Sequence, residues 1–155
     1  MHWLYVQKIK NMHWLYVKNL LNLHWLCSFL GVFMSFERLI LKNLREWRNS
    51  PYRKPLVLRG ARQTGKTTLI KEFGKEFSTF IYLNLEKAED SSIFENSLSA
   101  RDLFQYICLE KNVHRQGDTL LFIDEIQNSP KAVEILRYFY EEIPDLFVIS
   151  AGSLL

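Results

Sequence analysis

The sequence predicts an α/β fold in which a parallel sheet is covered by helices on both faces. Three observations predict it. Short apolar runs recur along the chain: LVL (56–58), FIYLNL (80–85), TLLFID (119–124) and LFVIS (146–150). Strands that read as continuous apolar runs are those buried on both faces of a sheet. Segments with helical spacing of apolar residues separate these runs, and strand–helix alternation requires crossovers that leave the strands parallel. The composition, 48% hydrophobic and 24% charged over 155 residues, excludes wholesale disorder or a fibrous repeat and suffices for one domain with a real core.

The first 33 residues are a different text. MHWLYVQKIKN (1–11) is followed by MHWLYVKNLLN (12–22) and LHWLCSFLGVF (23–33), a tandem repeat with a period of 11. It contains no acidic residue and three lysines, Lys8, Lys10 and Lys18; the remainder holds 17 basic and 17 acidic residues, so the overall net charge of +3 is no sign of nucleic-acid binding. Three readings compete. One is a short DNA repeat read in frame ahead of a true start at Met34. Another is a packing or membrane-associating helix, on which a period of 11 draws the His and Trp residues into one drifting stripe. Its apolar run from Leu20 to Met34 contains Asn22 and His24 and is shorter than the ~20 residues a span needs. The third is a metal site of His2, His13 and His24, but a spacing of 11 sets successive histidines about 16 Å apart on a helix, too far to share one ion. The domain reading is thus a leader (1–33), an N-terminal helix and linker (34–53) and the core (54–155). Two cysteines, Cys27 and Cys108, form no CxxC pair; a reducing, cytoplasmic setting is expected, with Cys108 a small buried hydrophobe.

From Met34 each element has a local reason. In SFERLILKNLREW (35–47), Phe36, Leu39, Ile40, Leu44 and Trp47 share a helical face and Ser35 can cap. Pro51 and Pro55 break the chain before the first strand at 56–58. A helix is expected from Lys66 to about Phe77, then a strand at 80–85, a helix at 100–112 and a strand at 119–124. Pro130 opens a further helix as its first residue, with Val133, Leu136, Tyr140 and Ile143 recurring along it. The last strand is 146–150.

Between the first strand and the next helix stands GARQTGKT, Gly60 to Thr67, a match to G-x-x-x-x-G-K-[ST] in its required strand–loop–helix context. Gly60 and Gly65 allow turns closed to other residues. The amides of Ala61, Arg62, Gln63 and Thr64 then converge as an anion nest, joined by the positive end of the helix through Thr68. Lys66 supplies a point charge to phosphate, and Thr67 a hydroxyl for Mg²⁺. LLFIDE ends in Asp124 and Glu125, acids at the carboxyl end of a strand, where ligands bind in open α/β sheets. Asp124 would hold Mg²⁺ and Glu125 would act on water as general base.

With these residues in place, GARQTGKTTLIKEFGKEF, FIYLNLE, LLFIDEIQNSP and FVISAGSLL resemble the bacterial predicted ATPases of the AAA+ class, over residues 34–155. The resemblance implies a P-loop NTPase three-layer sandwich with sheet order 5-1-4-3-2, ATP and Mg²⁺ as cofactors, and ATP hydrolysis. It makes Lys66 and Glu125 catalytic and Thr67 and Asp124 the metal residues. It also implies that Asn84 restrains the catalytic glutamate, as against simply capping a turn, and that Ser150 or Ser153 senses the γ-phosphate. Adenine over guanine rests on the resemblance alone. In the family a fifth strand beside the first, a helical lid and a further C-terminal domain follow. The chain therefore reads as a fragment truncated before the fifth strand, its first strand an exposed edge and its turnover impaired. A non-hydrolysing nucleotide switch is the alternative. The partner expectations are nucleotide, the missing C-terminal domain and a homo-oligomer, with Arg101, Arg115 or Arg137 as a finger; neither nucleic acid nor membrane is indicated. Arg59 and Arg62 either touch phosphate or are solvated.

Overall fold

The computed structural model describes residues 5–9, 12–17, 32–96 and 98–153. In chain order the elements are β1 (Tyr5–Ile9), β2 (Met12–Val17), α1 (Val32–Asn49), β3 (Leu56–Gly60), α2 (Lys66–Gly74), β4 (Thr79–Asn84), α3 (Ala88–Ser92), α4 (Ala100–Glu110), β5 (Thr119–Asp124), α5 (Pro130–Glu142) and β6 (Leu146–Ser153). The short helical turns Ile93–Glu95 and Ile126–Asn128 complete the list. The strands form one sheet in the order β1-β2-β3-β6-β5-β4. Its four core strands, β3-β6-β5-β4, are all parallel. This is the expected α/β sandwich, and the core order agrees with 1-4-3-2.

Side-chain alternation along the strands builds two cores. Val57, Leu121, Ile123 and Val148 face one side, with Ile107 of α4 and Leu136 and Phe139 of α5. Leu56, Leu58, Leu120, Phe122 and Ile149 face the other, with Ile40 and Leu44 of α1 and Ile70 and Phe73 of α2. All six residues of β5 are buried, as a central strand covered on both faces requires. α1 is fixed at its far end by Arg45, which donates to the Glu76 carboxylate, and by Arg48, which donates to Asp118 at 2.9 Å. Trp47 donates its indole N–H to the Lys54 carbonyl and sets its ring edge-on to Phe147.

Two expectations about the front of the chain are corrected. The first two copies of the repeat are not helical where they are described: β1 and β2 pair antiparallel, from Tyr5 opposite Tyr16 to Ile9 opposite Met12. Nor is β3 an open edge, because β2 pairs with it in parallel, from His13 opposite Leu56 to Val17 opposite Gly60. The physical reason is shared. MHWLYV is rich in strand-forming aromatic and branched residues, and β3 offers an unsatisfied row of backbone donors and acceptors that a strand can satisfy. A period of 11 fits a drifting helix, but it also sets Tyr5 opposite Tyr16, its counterpart in the next copy. The apolar run 20–34 falls mostly outside the described residues, as do His2 and His24. Among the described residues no helix is long and apolar enough to cross a membrane.

Smaller differences follow from packing. α1 begins at Val32, so Ser35 lies within its first turn and not at its cap, and Leu39 is 49% exposed. α2 ends at Gly74, short of Phe77. On α5 the buried stripe is Ala132, Leu136 and Phe139, continued by Ile143, while Val133 and Tyr140 are each 38% exposed. Ser129 caps that helix, its hydroxyl accepting from the Ala132 amide, and Pro130 occupies the first position as expected. α3 was absent from the expected elements: it is short, and Asp90 within it is buried, accepting from the Asn84 amide and paired with Lys111.

Candidate functional site

The carboxyl ends of β3, β5 and β6 converge where the sequence places its motifs. β3 runs into the loop at Gly60, and α2 starts at Lys66. Two residues of the loop are left-handed, Gly65 (φ 78°) and Gln63 (φ 60°); Gly60, expected to supply such a turn, instead ends the strand. Gly65 stands at the N-cap of α2 with no side chain to cap it. The helix's first amides therefore face the hollow of the loop, an arrangement suited to an anion. That hollow is a cavity of about 290 Å³ walled by Gln63 to Thr68 and by Glu125.

Lys66 is buried and its ammonium is folded onto the loop. It donates to the carbonyls of Gly60 at 3.0 Å and Ala61 at 2.7 Å, and to the Thr64 hydroxyl at 3.4 Å. Burial lowers its pKa, an effect opposed by the charges of Glu125 and Asp124. Arg62 is exposed, 3.9 Å from Glu86.

Behind Thr67, Asp124 ends β5 almost wholly buried. Its Oδ2 accepts from the Thr67 hydroxyl at 2.7 Å and from the Tyr82 hydroxyl at 3.3 Å, while Oδ1 accepts from the Glu125 amide at 3.1 Å. The Thr67 hydroxyl and the Asp124 carboxylate are separated by 57 residues in sequence and meet as two adjacent oxygen donors, the donor chemistry a hard divalent cation takes. Tyr82 was not singled out from the sequence. Burial, with the Asp124 charge beside it, pushes its phenol up to about 12, which keeps it a hydrogen-bond donor at neutral pH. Lys71 lies over its ring at 4.1 Å.

Glu125 adopts left-handed backbone (φ 53°, ψ 45°), a conformation that costs a non-glycine residue about 1–2 kcal/mol. The turn carries the chain off β5 and leaves Glu125 on the cavity wall. Its carboxylate accepts from the side-chain amide of Gln127, which was not singled out from the sequence either. The Asn84 side-chain oxygen accepts from the Glu86 amide, capping the turn after β4. The two serines separate by depth. Ser153 pairs in register with Gly60, at the level of the loop, and its hydroxyl accepts from Gln127 at 3.3 Å. Ser150 is paired with Val57, three residues and about 10 Å deeper, and its hydroxyl is buried without a partner among the described residues.

Two of the arginines considered as fingers are engaged within the chain, Arg115 with Asp145 and Arg137 with Glu141. Arg101 instead lines a groove beside Phe104 and Cys108 on α4.

No curated protein matches the chain. The family model of the AAA domain matches residues 52–155, from the linker before β3 through β6. That span contains the loop, both acids and the whole parallel core. The chain belongs to the AAA domain family, as an AAA-like P-loop ATPase.

Proposed function

We propose that the cavity at Gly60–Thr67 binds ATP with Mg²⁺ and that the chain hydrolyses the γ-phosphate. The observation that carries this reading is the hydrogen bond of 2.7 Å from Thr67, which lines the cavity together with Glu125, to the buried Asp124 behind it. The loop amides and the N-terminus of α2 bind phosphate oxygens, and Lys66 exchanges its carbonyl partners for them. Thr67 and Asp124 hold the cation. When bound, Mg²⁺ offsets charge on the β- and γ-phosphate oxygens. Glu125 orients the attacking water and accepts its proton, and Ser153, level with Gly60, is the serine within reach of the γ-phosphate end.

Calorimetry with Mg·ATP and a phosphate-release assay test the proposal. Lys66→Ala is expected to abolish saturable binding. Glu125→Gln is expected to retain binding while turnover falls by about 10²–10⁴, the scale of a general base. Binding that survives Lys66→Ala would overturn the site; turnover that survives Glu125→Gln would overturn hydrolysis by this residue and leave a nucleotide switch.

A further inference from the structure

We infer that Gln127 is the positioning residue of Glu125, a side-chain clamp that ties the glutamate's carboxylate to Ser153 at the end of β6. The inference rests on the reading of Glu125 as the base and adds the group that orients it. The Asn84 side-chain oxygen caps the turn after β4, whereas the Gln127 amide bonds to Glu125 itself. Gln127 is placed to orient it. One nitrogen, Nε2, donates both to Glu125 Oε2 at 2.5 Å and to Ser153 Oγ at 3.3 Å. The two hydrogens of a primary amide allow both bonds at once, and only the nitrogen end can meet a carboxylate.

Three further features surround the clamp. Among the described residues the Gln127 oxygen is buried without a donor, a penalty that marks the amide as held for its nitrogen's bonds. A Cβ on residue 152 would stand 2.7 Å from that oxygen, so the glycine there leaves the room the amide occupies. Glu125 leaves β5 in left-handed backbone, and Gln127 follows two residues later in the short helical turn Ile126–Asn128. The backbone thus presents both side chains to the same end of β6. Ser153 is in register with Gly60, where the phosphate loop begins. The clamp therefore joins Ser153 and the base by hydrogen bonds at the level of the sheet where the loop begins. A shift of the Ser153 hydroxyl toward a γ-phosphate would be felt at Glu125 through one amide.

The test has a structural arm and a kinetic arm, both on the full chain. In nitrogen-15 spectra without nucleotide, the Gln127 side-chain amide is expected to show one strongly downfield proton that returns to the position of a solvated amide in Glu125→Ala. An amide that does not respond to Glu125→Ala overturns the clamp, whatever the nucleotide chemistry. In single turnover with Mg·ATP, Gln127→Ala is expected to slow the chemical step about tenfold or more, the cost of a misplaced catalytic group, with nucleotide affinity within twofold of the parent. The same substitution in a Glu125→Gln background is expected to slow the residual step no further. Gly152→Ala, which keeps the glutamine but forces its amide to move, is expected to reproduce the loss and keeps the test decisive if Gln127→Ala folds poorly. Full turnover in Gln127→Ala, an equal loss of affinity, or an equal slowing in the Glu125→Gln background each overturn the inference. A parent chain without any turnover overturns the proposed hydrolysis, and the amide spectrum then still decides whether Gln127 holds Glu125.

Discussion

Gly65 carries the phosphate loop into α2 with φ at 78°, and an added Cβ there would meet no atom within 4 Å. The cost of a side chain at this position is therefore conformational and not steric, about 1–2 kcal/mol. Gly65→Ala is expected to lower the unfolding free energy by that amount in urea titrations and to weaken nucleotide binding as well, since the strained turn aims the amides. An unchanged midpoint would show that the loop relaxes elsewhere. Cys108 offers a test by pH. Burial raises its thiol pKa, with Arg115 opposing. A raised folded pKa favours the protonated native form, so any stability it contributes is kept at low pH and is lost as pH rises past the ordinary thiol value. In a Cys27→Ser background, maleimide labelling at pH 8 is expected to be slower than for a free thiol and to gain on it with rising pH; labelling at the free rate would contradict the burial. At this scale the sequence disclosed Lys66, Thr67, Asp124 and Glu125, because their motif spacing is itself the signal. Tyr82 and Gln127 carry no such spacing. The one available hint at Gln127 was its place two residues after Glu125.

Elements show which local signals survive packing. The Ser129–Pro130 start of α5 held because cap and first-turn proline act within a few residues. Ser129→Ala is expected to cost about 1 kcal/mol, read as a lowered denaturation midpoint, and no change would mean that Pro130 alone fixes the start. The buried stripe of α5 was legible only in part: Leu136 and Ile143 were placed correctly, but Ala132 and Phe139 face the core in place of Val133 and Tyr140. Helical periodicity tolerates a one-residue rotation, and the sheet's surface selects among the choices. β5 is the opposite case, because six apolar-run residues buried on both faces leave no choice of face to be made. Phe122 is fully buried in it, and Phe122→Ala is expected to cost about 3–5 kcal/mol, enough to unfold a marginal domain in a guanidinium titration.

For the molecule as a whole, the edge of β3 is the decisive place. The strand that bears the phosphate loop is covered on one side by β6 and on the other by β2. An uncovered β3 would present unpaired backbone groups as a template for another chain. Removing residues 1–33 is therefore expected to increase self-association, seen as a rise in scattering mass with concentration, while the parallel core β3-β6-β5-β4 keeps its order. A chain from Met34 that stays monodisperse at high concentration would show that β2 contributes nothing to the edge.

The sequence by itself determined the α/β class and the four core strands, and it singled out four residues that the fold brings to the carboxyl ends of β3 and β5. These are properties of short windows: a continuous apolar run, a glycine-spaced loop, acids at a strand end. Only the tertiary structure decided which serine stands level with the loop, that Asn84 serves a turn and that Gln127 reaches Glu125. It alone showed that a repeat legible as a helix pairs with β3 as a strand. Each of these depends on register between segments far apart in the chain. Register is set by which backbone groups remain to be satisfied once the sheet has formed, and no local pattern encodes it.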